Sequence, residues 1–306
     1  MLQRGGLVAF PTETVYGLGA DAADPAAVAR IFEVKGRPTD HPLIVHVGGT
    51  EDLARWAESV PASARRLAEA VWPGPLTVVV RRADHVPAAV AGGRSTIALR
   101  SPAHPMAQAL LEAFGGGIAA PSANRFGRVS PTTADDVRAD LGDDVDLILD
   151  GGPCRVGIES TIVDCTGDGV VVLRPGGVAA EVLEDILGQP VVRQAGPGAP
   201  AAPGTLASHY TPRARVVVAG SVEEAVARAA AAESVAGVLL QGPAVVPEGV
   251  TLLVADEDPA AYARVLYARL RQADRLGLDL LVAVAPPEQG LGVAVADRLR
   301  RAATPP

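Results

Sequence analysis

The sequence is short of aromatic residues, cysteine, lysine and long apolar runs. Aromatic residues make up 3% of the 306 positions, and the two cysteines, Cys154 and Cys165, stand outside any C-x-x-C pattern. They exclude a disulfide framework and a cysteine-based metal site, and we expect both to be buried residues of a cytoplasmic protein. No stretch reaches the roughly 18 uninterrupted apolar residues of a membrane helix, and the first apolar run ends early, at Pro11. Neither a membrane span nor a signal peptide is predicted.

An excess of basic charge is also lacking. The formal net charge is −8 and the sequence pI is about 5.2. This balance excludes broad, nonspecific binding of nucleic acid, which needs a basic face. A local basic groove is compatible with the same composition.

The residues that are present indicate an α/β protein of two domains. Hydrophobic residues make up 48% of the chain and are mostly Ala, Val and Leu, which suits close-packed layers of helix and sheet. A stretch rich in Pro, Gly and Ala interrupts the alternation of strand and helix patterns, and the β-α-β-β-α-β-α order after it predicts a small, mostly parallel sheet. We therefore predict a first domain at 1–195, a linker at 196–213 and a second α/β domain at 214–306.

Lys35 is the only lysine of the chain, and every other basic residue is arginine. It lies in F-E-V-K-G-R-P-T-D-H-P-L, two residues before Arg37, in a turn rich in Gly and Pro. An ammonium and a guanidinium within one turn predict an anion site, while a lysine left by compositional drift is the alternative. His41 precedes the predicted strand P-L-I-V-H-V, and His46 lies near the end of that strand. Because no acidic ligand lies at helical spacing, they indicate hydrogen bonding to a ligand rather than a metal site.

Further segments place polar side chains where predicted strands begin or end. In A-F-P-T-E-T-V-Y-G-L-G, two threonines enter a turn that we expect to close on Gly17 and Gly19, and Arg100 follows a strand, where it could clamp a carboxylate. The other candidates at such ends are Thr12, Thr14, Ser122, Asn124, Ser130, Ser160, Thr161 and Arg174. There is no G-x-S-x-G and no Walker motif. These residues therefore predict an anion-binding site that acts by positioning and electrostatics.

Together these segments resemble the threonylcarbamoyl-AMP synthase family, whose catalytic unit is the YrdC domain. The resemblance is carried, in family order from Val8 to Gly176, by P-T-E-T-V-Y-G-L-G, K-x-R-P with H-P-L-I-V-H, L-R-x-P, P-S-A-N, E-S-T-I-V-D and L-R-P-G. The segment A-P-G-T-L-A-S-H-Y-T-P, followed by an α/β domain, is similar to the two-domain members. The resemblance implies a twisted mixed sheet with helices, then a linker and a Rossmann-like domain.

The family condenses L-threonine, bicarbonate or carbon dioxide, and ATP into threonylcarbamoyl-adenylate and pyrophosphate. Partner proteins then transfer the threonylcarbamoyl group to tRNA. The resemblance implies magnesium brought by ATP, no metal ligands from protein side chains, no protein nucleophile, and a linker that closes over ATP. By matching position, it implies threonine binding by Thr14, His46, Arg100, Ala120 and Ser160. It implies ATP binding by Lys35 and Arg37, which suit the phosphates, and by His41, Thr96, Ser122, Ser130, Arg174 and Tyr210.

Three features depart from the family pattern. His41 stands where Asn is common, T-L-A-S precedes His209 where many relatives have larger or basic residues, and the chain begins at the first strand without a leading helix. Two alternatives are kept. A non-catalytic RNA-binding YrdC-like module is disfavoured by the acidic balance. A carbamoyl-transfer domain of hydrogenase-maturation type is disfavoured because acylphosphatase and zinc-finger modules do not precede it.

Overall fold

The computed structural model describes residues 1–193, 200, 202–204 and 209–304. The chain divides into two compact units. The first comprises Met1–Phe126, Pro131–Arg155 and Glu159–Thr205, and the second comprises Gly127–Ser130, Val156–Ile158 and Leu206–Pro306. The predicted linker falls partly outside the described residues, so the domain limits drawn from the sequence stay predictions.

The first unit alternates short strands with helices, and a single 3₁₀ turn, Leu2–Arg4, precedes its first strand. Its described strands are β1 Val8–Phe10, β2 Gly17–Asp21, β3 Ile44–His46, β4 Leu76–Arg81, β5 Thr96–Arg100, β6 Ile118–Ala119, β7 Leu147–Ile148, β8 Thr161–Asp164 and β9 Val171–Arg174. Its described helices are α1 Pro25–Lys35, α2 Leu53–Trp56, α3 Ala62–Val71, α4 Pro105–Phe114, α5 Ala134–Leu141 and α6 Ala180–Leu187.

The described strands of this unit form one mixed sheet in the order β7-β1-β2-β6-β3-β5-β4-β8-β9. The pairs β3–β5 and β4–β8 are parallel, whereas β1–β2, β3–β6 and β4–β5 are antiparallel. Strands β1, β3 and β8 are buried along their whole length, so both faces of the sheet are covered at these strands. The predicted α/β class with a mixed sheet is confirmed.

The predicted turn lies between β1 and β2 and closes at the pair Phe10–Gly17, but both glycines are themselves part of strand β2. That strand pairs with β1 in antiparallel register, with Phe10 opposite Gly17 and Val8 opposite Gly19. A Cβ at position 19 would lie 2.8 Å from side-chain atoms of both Phe10 and Ile118. Glycine is therefore used here for close packing between neighbouring strands, which a local reading of glycine as a turn residue misses.

The described second unit is built around a smaller sheet. Its strands are β10 Arg215–Ala219, β11 Ala236–Gln241, β12 Thr251–Ala255 and β13 Leu280–Val284, and its helices are α7 Val222–Ala230, α8 Pro259–Arg275 and α9 Gly292–Ala303. The strand order is β10-β13-β11-β12 with every pair parallel, as the β-α-β-β-α-β-α order predicts. Helix α8 begins with Pro259 at its first position, where the Asp258 carboxylate accepts from the Ala261 N–H. Among the helices described in either unit, none is long and apolar enough to cross a membrane.

Candidate active site

Two of the residues predicted to bind threonine, His46 and Arg100, are cross-strand neighbours. Strands β3 and β5 are parallel, and their register pairs His46 with Arg100 at the carboxyl end of both strands. Both side chains are buried, with 3% and 4% exposure. The chain reaches this arrangement because each residue ends a short apolar strand, so the sheet carries the polar side chains to one edge.

The Arg100 guanidinium is held on two sides by protein groups. Its Nη2 donates to Oε1 of Glu13 at 2.7 Å, and its Nε donates to the Gly74 carbonyl at 3.3 Å. The second oxygen of Glu13 accepts from the Ala103 N–H at 3.0 Å. A buried ion pair of this kind contributes orientation more than stability, because desolvation offsets its Coulomb gain. The guanidinium is thus fixed before any ligand arrives.

His46 is a neutral imidazole at physiological pH. Burial, followed by the charge of the neighbouring Arg100, lowers the pKa of His46 to about 3. The Phe10 ring meets the imidazole edge-on, with ring centroids 5.9 Å apart. His46 can therefore supply a hydrogen bond and apolar contact to a ligand, but not a positive charge.

Thr14, which is predicted to bind the substrate threonine, lies in a tight turn between β1 and β2. Hydroxyl groups make hydrogen bonds within this turn. Thr12 Oγ1 donates to the Val15 carbonyl at 2.6 Å and lies 2.8 Å from Thr14 Oγ1. Both threonines are buried. Ala120 follows β6 and donates its N–H to the Ile44 carbonyl at 2.9 Å, which ties it to β3. Hydroxyl groups in such a turn have a fixed direction, as a small polar ligand needs.

Lys35 ends helix α1 with its ammonium buried against the P-S-A-N turn. Its Nζ donates to the Ser122 carbonyl at 2.6 Å and also to the Asn124 carbonyl. The Lys35 carbonyl in turn accepts from the Phe126 N–H at 2.8 Å. Burial, followed by the charge of Arg37, lowers the pKa of Lys35 below its ordinary value. The lysine therefore stabilises this turn by hydrogen bonds and is also a candidate phosphate contact.

Arg37 and His41 gather around one aromatic ring. Arg37 donates from Nη2 to the Pro42 carbonyl at 3.0 Å, and its guanidinium carbon lies 5.9 Å from the centre of the Phe126 ring. The His41 and Phe126 rings are 5.6 Å apart. Burial, followed by the Arg37 charge, lowers the pKa of His41. Thr96, which is predicted to bind ATP, begins β5 and lies opposite Arg81.

Ser160 joins a buried network that includes Arg174. Its Oγ is 2.8 Å from Thr77 Oγ1 and 3.3 Å from Arg174 Nη2, which also donates to the Ser160 carbonyl at 2.8 Å. Arg174 donates from Nη1 to the carbonyl of Pro203 in the predicted linker, at 2.8 Å. The network thus connects Ser160, which is predicted to bind threonine, with Arg174, which is predicted to bind ATP. It also includes Pro203, a described residue of the linker.

The remaining two predicted ATP residues, Ser130 and Tyr210, belong to the second unit. Both are buried there. The backbone of Tyr210 has φ 63°, which is rare for a residue other than glycine, and its ring stacks on Tyr267 with centroids 5.6 Å apart. Residues 205–208 of the linker that is predicted to close over ATP lie outside the described residues.

Sequence reasoning missed Glu13, Thr77 and Phe126 as members of the site. Glu13 carried a usable signal, because an acidic residue inside an apolar motif must find a partner if the motif is buried. Thr77 and Phe126 carried none, since each matters through a residue distant in sequence.

Comparison with known proteins covers both units. A family model described as telomere recombination, of the Sua5, YciO and YrdC proteins, matches residues 1–176, and one described as the C-terminal domain of threonylcarbamoyl-AMP synthase matches residues 178–304. The threonylcarbamoyl-AMP synthase of Pyrococcus abyssi is 42% identical over 98% of this chain and 91% of the relative, and that of Bacillus subtilis is 37% identical over 99% and 91%. A crystal structure of P. abyssi Sua5 complexed with L-threonine matches with a TM-score of 0.92 and 41% identity, over 99% of this chain and 92% of that one.

These similarities define an enzyme of the nucleotidyltransferase type. The chain belongs to the threonylcarbamoyl-AMP synthase family, in its two-domain form. The predicted resemblance and activity are confirmed. The match of residues 178–304 to the synthase's own second domain separates the chain from the alternative of hydrogenase-maturation type.

Proposed function

We propose that the chain condenses L-threonine, bicarbonate or carbon dioxide, and ATP into threonylcarbamoyl-adenylate and pyrophosphate at the residues described above. The observation that carries this proposal is the buried guanidinium of Arg100, fixed by Glu13 and Gly74 beside a neutral imidazole. A guanidinium held in this way suits the carboxylate of an amino acid. The complex of the P. abyssi relative with L-threonine supports threonine as that amino acid.

In this proposal the threonine side chain is recognised by hydrogen bonds. The Thr14 hydroxyl would meet the hydroxyl of the ligand, Ser160 and the Ala120 backbone would meet its other polar atoms, and His46 would line the pocket without adding charge. Valine has the same shape as threonine but would leave buried polar groups unpaired. A site that hydrogen-bonds a substrate hydroxyl therefore discriminates strongly against the analogue that lacks it.

ATP would lie against the cations of the first unit. A lysine ammonium has three donors, and the carbonyls of Ser122 and Asn124 take two of them, which leaves the third for a phosphate oxygen. Arg37 would add a second cation. The other predicted contacts are His41, Thr96, Ser122, Ser130, Arg174 and Tyr210.

We propose that magnesium enters with the nucleotide. The described residues contain no cluster of three or more His, Cys, Asp or Glu side chains that could hold a metal ion. Phosphate oxygens and water would therefore supply the ligands of the ion. When bound, magnesium would neutralise charge on the phosphates.

The chemistry requires no protein nucleophile. Threonine and bicarbonate would give a carbamate and water, and a carbamate oxygen would then attack the α-phosphorus and release pyrophosphate. Lys35 and Arg37 would stabilise the charge that develops on the phosphates. The linker around Tyr210 would exclude water from the adenylate, which water would otherwise hydrolyse. The product would pass to cytoplasmic proteins that modify tRNA.

A pyrophosphate-release assay tests the proposal. We expect release from ATP only with L-threonine and bicarbonate together, and little release with valine, which lacks the hydroxyl. Arg100→Ala should weaken threonine binding far more than ATP binding, whereas Arg138→Ala, which removes an exposed pair with Asp135, serves as the matched control. Equal losses for both ligands in calorimetry would contradict the role of Arg100. If the chain instead binds duplex RNA across a salt series and releases no pyrophosphate, the RNA-binding alternative holds.

A further inference from the structure

Helix α8 of the second unit presents one face to three separate segments of the same unit. Arg264, Tyr267 and Arg271 lie on this face, since they are three and four positions apart along the helix. The three segments are Gly127–Ser130, Val156–Ile158 and the residues around Tyr210, all of which belong to the second unit.

The first contact joins Arg271 to the loop that carries Ser130. Arg271 donates from Nη2 to the Val129 carbonyl at 2.6 Å. Ser130 is the next residue and is fully buried. A hydrogen bond from a charged donor to the preceding carbonyl fixes the peptide plane that leads into Ser130.

The second contact joins Tyr267 to Tyr210. The two rings are stacked, with an interplanar angle of 25°, and the guanidinium carbon of Arg298 lies 5.0 Å from the centre of the Tyr210 ring. The backbone next to Tyr210 is tied to the first segment, because the Thr211 N–H donates to the Gly127 carbonyl at 2.9 Å. These contacts hold Tyr210 in its left-handed backbone conformation, which has an intrinsic cost and needs support from its surroundings.

The third contact is between backbones, at Gly157. A Cβ at this position would lie 2.5 Å from the Cα of Arg264 and 2.6 Å from the carbonyl oxygen of Ala263. The backbone of Gly157 also has φ +81°. Only glycine fits this approach, so the segment Val156–Ile158, which runs directly into Glu159 and Ser160, is pressed against the helix.

We propose that α8 is a positioning element for substrate binding, and that Arg271 and Tyr267 are its positioning residues. Two of the segments that the helix contacts contain a residue predicted to bind ATP, Ser130 or Tyr210. The third leads into Ser160, which is predicted to bind threonine. The inference rests on the proposed function, in which these residues contact the substrates. It assigns a role to the second domain: its longest described helix sets the backbone positions of Ser130 and Tyr210, so ATP binding depends on it.

The test compares Arg271→Ala, Arg271→Lys and the control Arg228→Ala in the full chain. Arg228 pairs with Glu224 at 2.7 Å on the exposed face of α7. Loss of one charge-assisted hydrogen bond should raise the KM for ATP in Arg271→Ala by about three- to tenfold. The KM for threonine should change by less than about twofold. Arg271→Lys should recover most of the ATP affinity, because an ammonium can donate to the same carbonyl, and Arg228→Ala should match the wild type.

Deuterium exchange supplies a readout that is independent of activity, and Tyr267→Leu supplies a second variant. We expect faster exchange at Gly127–Ser130 in Arg271→Ala and at residues 209–211 in Tyr267→Leu, with unchanged exchange in β10 and β13. A wild type that releases threonine-dependent pyrophosphate beside variants with unchanged ATP affinity would overturn the role of α8 alone. Equal losses of ATP and threonine affinity would also overturn it. A wild type that binds no ATP would overturn the proposed function and this inference with it.

Discussion

Replacing Lys35 by methionine should destabilise the protein as well as weaken adenylate formation. The substitution keeps the length and helix propensity of the side chain, but it removes the ammonium that donates to the partly buried carbonyl of Ser122 and to the buried carbonyl of Asn124. Each buried polar group that loses its partner costs about 1–3 kcal/mol. Removal of a desolvated ammonium offsets part of this sum. We therefore expect the free energy of unfolding to fall by about 2–4 kcal/mol.

The difference in the free energy of unfolding between the wild type and Lys35→Met should depend on pH, and the sign of this dependence follows from the pKa of Lys35. Burial lowers the pKa of folded Lys35, while the unfolded value stays near the ordinary value of about 10.4. Between these two values the unfolded chain binds more protons, so wild-type stability rises with pH. The Lys35→Met variant lacks this contribution. The stability gap between the two proteins should therefore widen from pH 9 to pH 10.

Urea unfolding at several pH values, followed by circular dichroism, measures the gap. Glu33→Met, an exposed substitution on the same helix, is the matched control and should change stability by less than about 0.5 kcal/mol. If Lys35→Met is as stable as the control but inactive, the ammonium contributes only to the reaction. If the variant keeps both stability and activity, the lone lysine is incidental.

Three further predictions concern other buried groups. Glu13→Ala should cost about 3–5 kcal/mol of stability, because it leaves the Arg100 charge buried without its partner, and calorimetry should show a larger loss of affinity for threonine than for ATP; Glu13→Gln should lose less. His46 has a folded pKa of about 3, so it contributes stability that is present above about pH 6.5 and is lost as the pH falls. In urea unfolding between pH 6.5 and 5, the free energy of unfolding of the wild type should therefore fall by about 2 kcal/mol more than that of His46→Gln. Parallel pH dependence of the two proteins would contradict this. Burial raises the pKa of Cys154 and Cys165 to about 12, so a thiol reagent at pH 8 should label neither cysteine in the native protein and both in guanidinium; rapid native labelling would show that one is accessible.

The elements that the sequence predicted best are those set by local pattern. The parallel sheet of the second unit follows from its strand and helix order, and Arg100 and Arg174 each end a strand as their positions after apolar runs indicated. The strand that begins at Gly17 was missed, because its glycines are explained by contacts with Phe10 and Ile118 rather than by local conformation.

The parts of the site that could not be predicted depend on pairs far apart in the chain. Glu13 and Arg100 are separated by 87 residues, and Thr77 and Ser160 by 83. A motif shows which residue types are present, but the sheet order decides which of them meet. The interpretation of Lys35 as an anion contact also overlooked carbonyl acceptors, since they belong to a turn 87 and 89 positions away.

The structure gives a physical reason for a single lysine in a chain that otherwise uses arginine. The carbonyls of Ser122 and Asn124 converge on one point at the end of α1, and Lys35 reaches that point with 3% of its surface exposed. A compact ammonium can turn its donors toward two neighbouring carbonyls and keep a third for a ligand. A planar guanidinium is larger, and its donors diverge in a fixed fork, as in Arg100, which donates from Nη2 to the Glu13 carboxylate and from Nε to the Gly74 carbonyl. The compact ammonium therefore suits two carbonyls that converge on one point, whereas the guanidinium of Arg100 reaches two acceptors that lie in different directions.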